Sequence, residues 1–308
     1  MSIFASILHV AYKLSGAKKA FALPEDALQK EIEKQNRHRG VFTPTDRKAY
    51  YETITVNGFP CLIVRERPKQ SKRAILYFFG GGMVIGPDKG DLPVMRKLCR
   101  ETGCDVWFPF YPLCMEHCIT ETYAMVYECY RKMITLYGGG NVSTCGFSSG
   151  GALALGIAAH NNAQPEPLPQ PRHIVAVSPG EVPWNDAEKA RMQALNERDV
   201  SIDYAFMVTV KKFHAARLRE CAGLYALRLP GRFYRRRRYS LLLFCRRGTL
   251  RRTAGLRGSL QTGKCPLYGV RPPEDGALLL YAADLQGGKG GLCENRGDFG
   301  EMRPETVV

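Results

Sequence analysis

Cys145-Gly146-Phe147-Ser148-Ser149-Gly150-Gly151 is the stretch on which the fold turns. It carries G-x-S-x-G between a short apolar strand, Val142 to Cys145, and a helix of small residues, Gly150 to His160. A serine in that setting occupies a strained turn that lifts its hydroxyl above the sheet. Glycines two positions to either side let neighbouring backbone pass where a β-carbon would clash. The bare pattern also describes an ordinary Gly-rich turn; the strand before it and the helix after it select a nucleophile elbow. Ser148 is therefore the candidate nucleophile. Ser149 is the other hydroxyl nearby, but directly after the elbow its backbone N–H is the useful group, as one donor to an oxyanion.

About 65 residues earlier, Ala74 to Phe79 (AILYFF) has the pattern of a buried strand and runs straight into Gly80-Gly81-Gly82. Three glycines allow consecutive N–H groups to turn toward a developing alkoxide. Alone, they would equally make a flexible strand-to-helix connection. Both motifs in the right order make coincidence a poor account.

The flanking segments supply a sheet for these motifs. Lys48 to Val64 contains two strand-like pieces joined by Asn57-Gly58, a tight hairpin turn, and would form an antiparallel edge. Asp91 to Thr102 is helical, Asp105 to Tyr111 is a strand despite Pro109, and Cys118 to Tyr137 is a long amphipathic helix closed by three glycines. Asn161 to Arg172, with four prolines, is a surface connection before the strand His173 to Val177. This alternation gives a mostly parallel sheet with helices on both faces. Residues 1–47 read as an N-terminal segment of surface helices or a cap, 48–216 as the α/β core, and 217–308 as an atypical Arg- and Gly-rich tail.

On these residues the segment resembles the esterase and lipase family related to hormone-sensitive lipase, within the α/β-hydrolase fold. The family writes its oxyanion loop His-Gly-Gly-Gly-aromatic, matched by Phe79-Gly80-Gly81-Gly82-Met83, and its elbow Gly-Asp-Ser-Ala-Gly-Gly, matched by Gly146 to Gly151. Tyr111-Pro112-Leu113-Cys114-Met115-Glu116 stands for the family's Tyr-Arg-Leu-Ala-Pro-Glu, and Val177-Ser178-Pro179 for a strand ending in Ser-Pro. The resemblance covers about 170 of 308 residues. It implies an oxyanion held by the N–H groups of Gly81, Gly82 and Ser149. Phe79 in place of histidine removes a polar support of the loop and leaves its donors in place; Pro112 removes an arginine hub.

The same mechanism requires an acid and then a histidine, in that order, after the last strands. Beyond the elbow the histidines are His160 at the end of a helix, His173 at the start of a strand, and His214 in a helical segment, where a surface role is expected. Asp275, Asp284 and Asp298 are acids by distance alone. From Arg217 onward Arg outnumbers Lys 16 to 2, against 12 to 14 before it. Ser240 to Phe244 is expected to have no strand partner, and the sheet to be incomplete at its C-terminal end. An abrupt change of residue usage is what translation in a shifted frame produces; a basic appendage and a divergent folded end are the alternatives.

Charge and composition narrow the function. The net charge of +15 resides mostly in the tail: 26 basic against 21 acidic residues precede Arg217, and 18 against 8 follow. Nucleic-acid binding through Arg235 to Arg238 would need a module that the chain does not display, so no nucleic-acid partner is expected. Eleven cysteines without a secretory signature, and no run near the roughly 20 apolar residues that span a bilayer, predict a cytoplasmic chain without a membrane span. Cys114, His117 and Cys118 make an incomplete zinc set, read as packing thiols and a loop histidine; no metal or other cofactor is expected. The expected chemistry is hydrolysis of a small uncharged acyl ester, with Phe79, Met83 and Phe147 as apolar surroundings, and impaired for want of a base. A non-catalytic binding protein on the same fold and a peptidase on the same elbow are the alternatives. Oligomeric state stays open.

Overall fold

The computed structural model describes residues 17–216 except 181, 184 and 201, together with the backbone of Ser240–Phe244. Seven strands form one sheet: β1 (Tyr50–Val56), β2 (Phe59–Arg65), β3 (Ala74–Phe78), β4 (Asp105–Pro109), β5 (Val142–Phe147), β6 (His173–Val177) and β7 (Ser240–Phe244). Their order is β1-β2-β4-β3-β5-β6-β7. β1, β2 and β4 pair antiparallel, and every pairing from β4 through β3, β5 and β6 to β7 is parallel.

The helices follow as α1 (Ala17–Phe21), α2 (Glu25–Asn36), α3 (Asp91–Thr102), α4 (Ile119–Tyr137), α5 (Ser149–Asn162), α6 (Asp186–Asn196) and α7 (Tyr204–Ala216). α4 and α5 pack together against the central strands, and α3 packs against β2 and β4. Every residue of β3, β4 and β6 is buried. That is the condition of strands covered on both faces, and it explains why their sequences are apolar apart from Asp105 and His173 at the first positions of β4 and β6. β1 is largely exposed, with only Val56 buried, as befits an edge.

Local chemistry sets the joints. Asn57 and Gly58 both have positive φ (48° and 84°), and Val56 faces Phe59, so the hairpin closes on the two-residue turn that Asn-Gly favours. Pro109, which has no N–H, lies beyond the three residues of β4 that pair with β3 and stands opposite Cys61 at the end of the β2 register, where the next residue, Phe110, donates its N–H to the Pro60 oxygen at 3.0 Å. Gly103 ends α3 in the left-handed conformation and returns its N–H to Cys99. Buried Asp105 accepts from Tyr137 Oη at 2.8 Å and the Ser71 N–H at 3.1 Å and pairs with Arg65 at 3.4 Å, so the carboxylate is fully compensated.

Ser240–Phe244 corrects the sequence expectation. It pairs parallel with β6 over its whole length, from His173 opposite Ser240 to Val177 opposite Phe244. A serine followed by four apolar residues has no periodicity that could name its partner; the sheet supplied it through the open edge of β6. The other residues of 217–308, with Asp275, Asp284 and Asp298, lie outside those described.

Candidate active site

Ser148 joins the end of β5 to the start of α5 with φ 53° and ψ −124°, a conformation costly for any residue with a β-carbon. The turn is tight enough to dictate its glycines. A β-carbon on Gly146 would lie 2.1 Å from the Gly150 oxygen, and one on Gly150 would lie 2.2 Å from the Phe78 oxygen. The loop after β6 fixes the elbow from the other side: the Ser148 N–H donates to the Val177 oxygen at 3.0 Å, and the Gly180 N–H to the Ser148 oxygen at 2.7 Å. Gly180 must also lack a side chain, since its β-carbon would fall 2.9 Å from the Ser149 nitrogen and 3.3 Å from Ser148 Oγ. The Val177-Ser178-Pro179 motif therefore braces the elbow, with Ser178 itself at φ 44°.

The glycine loop lies against the same turn. A β-carbon on Gly80 would lie 3.3 Å from Ser148 Cβ and 3.2 Å from the Phe147 ring. Gly81 has φ 116°, and its β-carbon would strike the Ile85 oxygen at 2.3 Å. Its carbonyl accepts from the N–H groups of Val84 (3.1 Å) and Ile85 (2.9 Å). Because the peptide is trans, the Gly82 N–H points the opposite way. Met83, at φ 60°, donates its N–H to Ser149 Oγ at 3.3 Å. Ser149 hydrogen-bonds in turn to Tyr111, whose hydroxyl donates to the Phe79 oxygen at 2.8 Å. Among the described residues, the N–H groups of Gly81, Gly82 and Ser149 donate to no acceptor. The four residues singled out in the sequence, Ser148, Ser149, Gly81 and Gly82, are thus brought together at one end of the central strands.

Two sequence expectations change here. Phe79 and Met83 do not surround a ligand: both are buried in the core, and Phe79 stacks on Tyr111 with ring centroids 4.0 Å apart. Phe147 alone of the three is exposed (43%), immediately before Ser148. His214 is not a surface residue. It is 2% exposed, and its Nε2 lies 2.8 Å from the Gly82 oxygen. The signal for this was the spacing of Phe206, Val210 and His214 at four-residue intervals, one face of α7. Gly180 and Tyr111 likewise become site-forming only in three dimensions.

Burial governs the ionisation of the neighbouring groups. His214 falls from the ordinary histidine value to about 4 because its charged form would be desolvated, an effect only partly offset by the Gly82 carbonyl. Burial pushes the Tyr111 hydroxyl well upward, so it remains a proton donor. His173 also falls to about 4, through burial and then the charges of Arg172 and Arg73. No described histidine hydrogen-bonds to Ser148: His117 pairs with Glu121 at 3.0 Å, and His160 lies 3.0 Å from the Gln164 amide. Among the described residues no group of three or more His, Cys, Asp or Glu is placed to hold a metal ion, and no helix is long and apolar enough to cross a membrane.

A protein-family model described as alpha/beta hydrolase fold matches residues 75–223. A search of curated proteins found no match. Among solved structures, the fold is shared with EstE5 soaked with p-nitrophenyl butyrate, at 18% identity and TM-score 0.68 over 93% of this chain and 98% of the other. An esterase/lipase from an uncultured bacterium is 20% identical with TM-score 0.64 over 93% and 98% of the two chains. An esterase from the bacterial hormone-sensitive lipase family is 17% identical with TM-score 0.62 over 92% and 98%.

Proposed function

The chain has the α/β-hydrolase fold, and from that premise we propose that Ser148 is the nucleophile of a hydrolase of carboxylic esters with small, uncharged acyl groups. The observation that carries this is the strained Ser148 beside a glycine loop, where the N–H groups of Gly81, Gly82 and Ser149 have no acceptor among the described residues. Ser148 Oγ attacks the ester carbon, and the carbonyl oxygen becomes an alkoxide held by those three N–H groups. Collapse breaks the bond to the alcohol, and water then releases the acid. Exposed Phe147 offers an apolar face beside the reacting carbon, favouring uncharged substrates. The p-nitrophenyl butyrate introduced into EstE5 is an ester of this class.

A histidine must take the Ser148 proton and pass it to the leaving alcohol. None of the described histidines does so, and this favours a second reading, a non-catalytic protein that binds an ester or acid at the same place. An unassisted serine hydroxyl is a weak nucleophile near neutral pH, so the 308-residue chain is expected to hydrolyse p-nitrophenyl acetate and butyrate little or not at all. Enzyme-like turnover abolished by Ser148→Ala would establish the hydrolase and the presence of a base, with His214 the next residue to replace. Retained binding of butyrate without Ser148-dependent turnover would support the binding protein. Faster cleavage of the matching p-nitroanilides than of the esters would indicate a peptidase.

A further inference from the structure

We propose that His214 is a positioning residue: by donating its Nε2–H to the Gly82 carbonyl it fixes the Gly82–Met83 peptide, and with it the oxyanion-binding face of the glycine loop. The role rests on the reading of Ser148 as a nucleophile. The carbonyl can only accept, so at the observed 2.8 Å the proton resides on Nε2. The other ring nitrogen, Nδ1, is then a bare acceptor, buried and without a partner among the described residues. A histidine serving only to fill space would leave both nitrogens costly; here one bond is made, and it goes to the loop.

The same peptide is held at its other end. The Met83 N–H donates to Ser149 Oγ at 3.3 Å, so α7 grips the peptide oxygen and α5 its N–H. α7 closes on the loop by packing as well. A β-carbon on Gly82 would lie 3.1 Å from Phe206 Cζ and 3.4 Å from Val210 Cγ2, and both side chains are buried. Phe206, Val210 and His214 thus form one continuous face against Gly82. Gly81 and Gly82 have no side chains to restrict their backbone, so outside contacts must decide where their N–H groups point. Phe79 is buried and stacked, and contributes only its backbone oxygen, to Tyr111. His214 is the polar side chain that reaches the loop from the α7 side.

The test uses the full chain and His214→Leu and His214→Gln, the latter keeping an N–H donor. Ser148 is labelled with a p-nitrophenyl alkylphosphonate: the Oγ–P bond forms, p-nitrophenolate leaves, the serine proton passes to solvent, and the phosphoryl oxygen occupies the oxyanion position. Labelling followed by intact mass gives the saturating rate and the apparent affinity separately, and amide exchange of residues 81–85 is followed in parallel. His214→Leu is expected to lower the saturating rate about 10- to 100-fold with affinity within about twofold. It should also accelerate exchange of the loop amides, and His214→Gln should restore both. A folded Leu variant with unchanged labelling and exchange, or a Gln variant as slow as Leu, overturns the proposal. If the parent chain is not labelled at Ser148, the nucleophile reading fails, and the exchange measurement decides the His214 role alone.

Discussion

Ser148 and His214 are single residues held against their own preferences. Ser148 sits at φ 53°, where only glycine is unstrained. Ser148→Gly should therefore raise stability by about 1 kcal/mol in urea unfolding while removing the hydroxyl, whereas Ser148→Ala, which keeps the β-carbon, should not. His214 and His173 both fall to about 4 in the folded chain from the ordinary 6.5. The unfolded chain then binds more protons than the folded one between these values. Stability should be complete above about pH 6.5 and decline as pH falls toward 4, as unfolding midpoints across that window will show. His214→Gln should flatten part of the decline. Ser148 could be singled out from G-x-S-x-G between an apolar strand and a small-residue helix, all of it local sequence. His214 could not, because a histidine in a helical pattern is ordinarily exposed and only the approach of α7 to Gly82 buries it.

At the level of elements, the elbow is a contact between two glycines and the strand beside them. Gly146 and Gly150 approach backbone oxygens so closely that no flexible side chain is available to yield. Gly146→Ala or Gly150→Ala should cost more than about 3 kcal/mol or prevent soluble expression, measured by denaturant unfolding against Gly58→Ala. Gly58 has open space around its β-carbon position and only the strain of its positive φ to lose. α3, α4, the Asn57-Gly58 hairpin and β6 were all legible, because period, capping glycines and turn chemistry are local. β7 was not. Its four apolar residues have no period, and the open edge of β6 that receives them comes from distant sequence.

Across the whole molecule, the change in residue usage at Arg217 remains to be explained. One strand expected to be missing is present as β7, so absent strands no longer all argue for a shifted frame. The Arg to Lys ratio and the absence of a histidine after Ala216 still do. Translating the coding DNA beyond Ala216 in the other two frames should reveal an Asp on a loop after an apolar strand and, after a further strand, a His, within about 100 residues. If neither frame contains that ordered pair, residues 217–308 are the chain's own sequence and the non-catalytic binding protein becomes the better reading.

The sequence by itself determined the α/β class, the strands and helices from Tyr50 to Val177, and the place of Ser148 between β5 and α5. Each depends on periodicity, on turn residues, or on a glycine that no other residue can replace, and these are properties of neighbours along the chain. The tertiary structure decided that Phe79 and Met83 are core, that Phe147 is the exposed aromatic beside Ser148, that β7 pairs with β6, and that His214 reaches Gly82 across 132 positions of sequence. Burial and long-range hydrogen bonds arise from the packing of distant elements, and no local pattern encodes which two surfaces will meet.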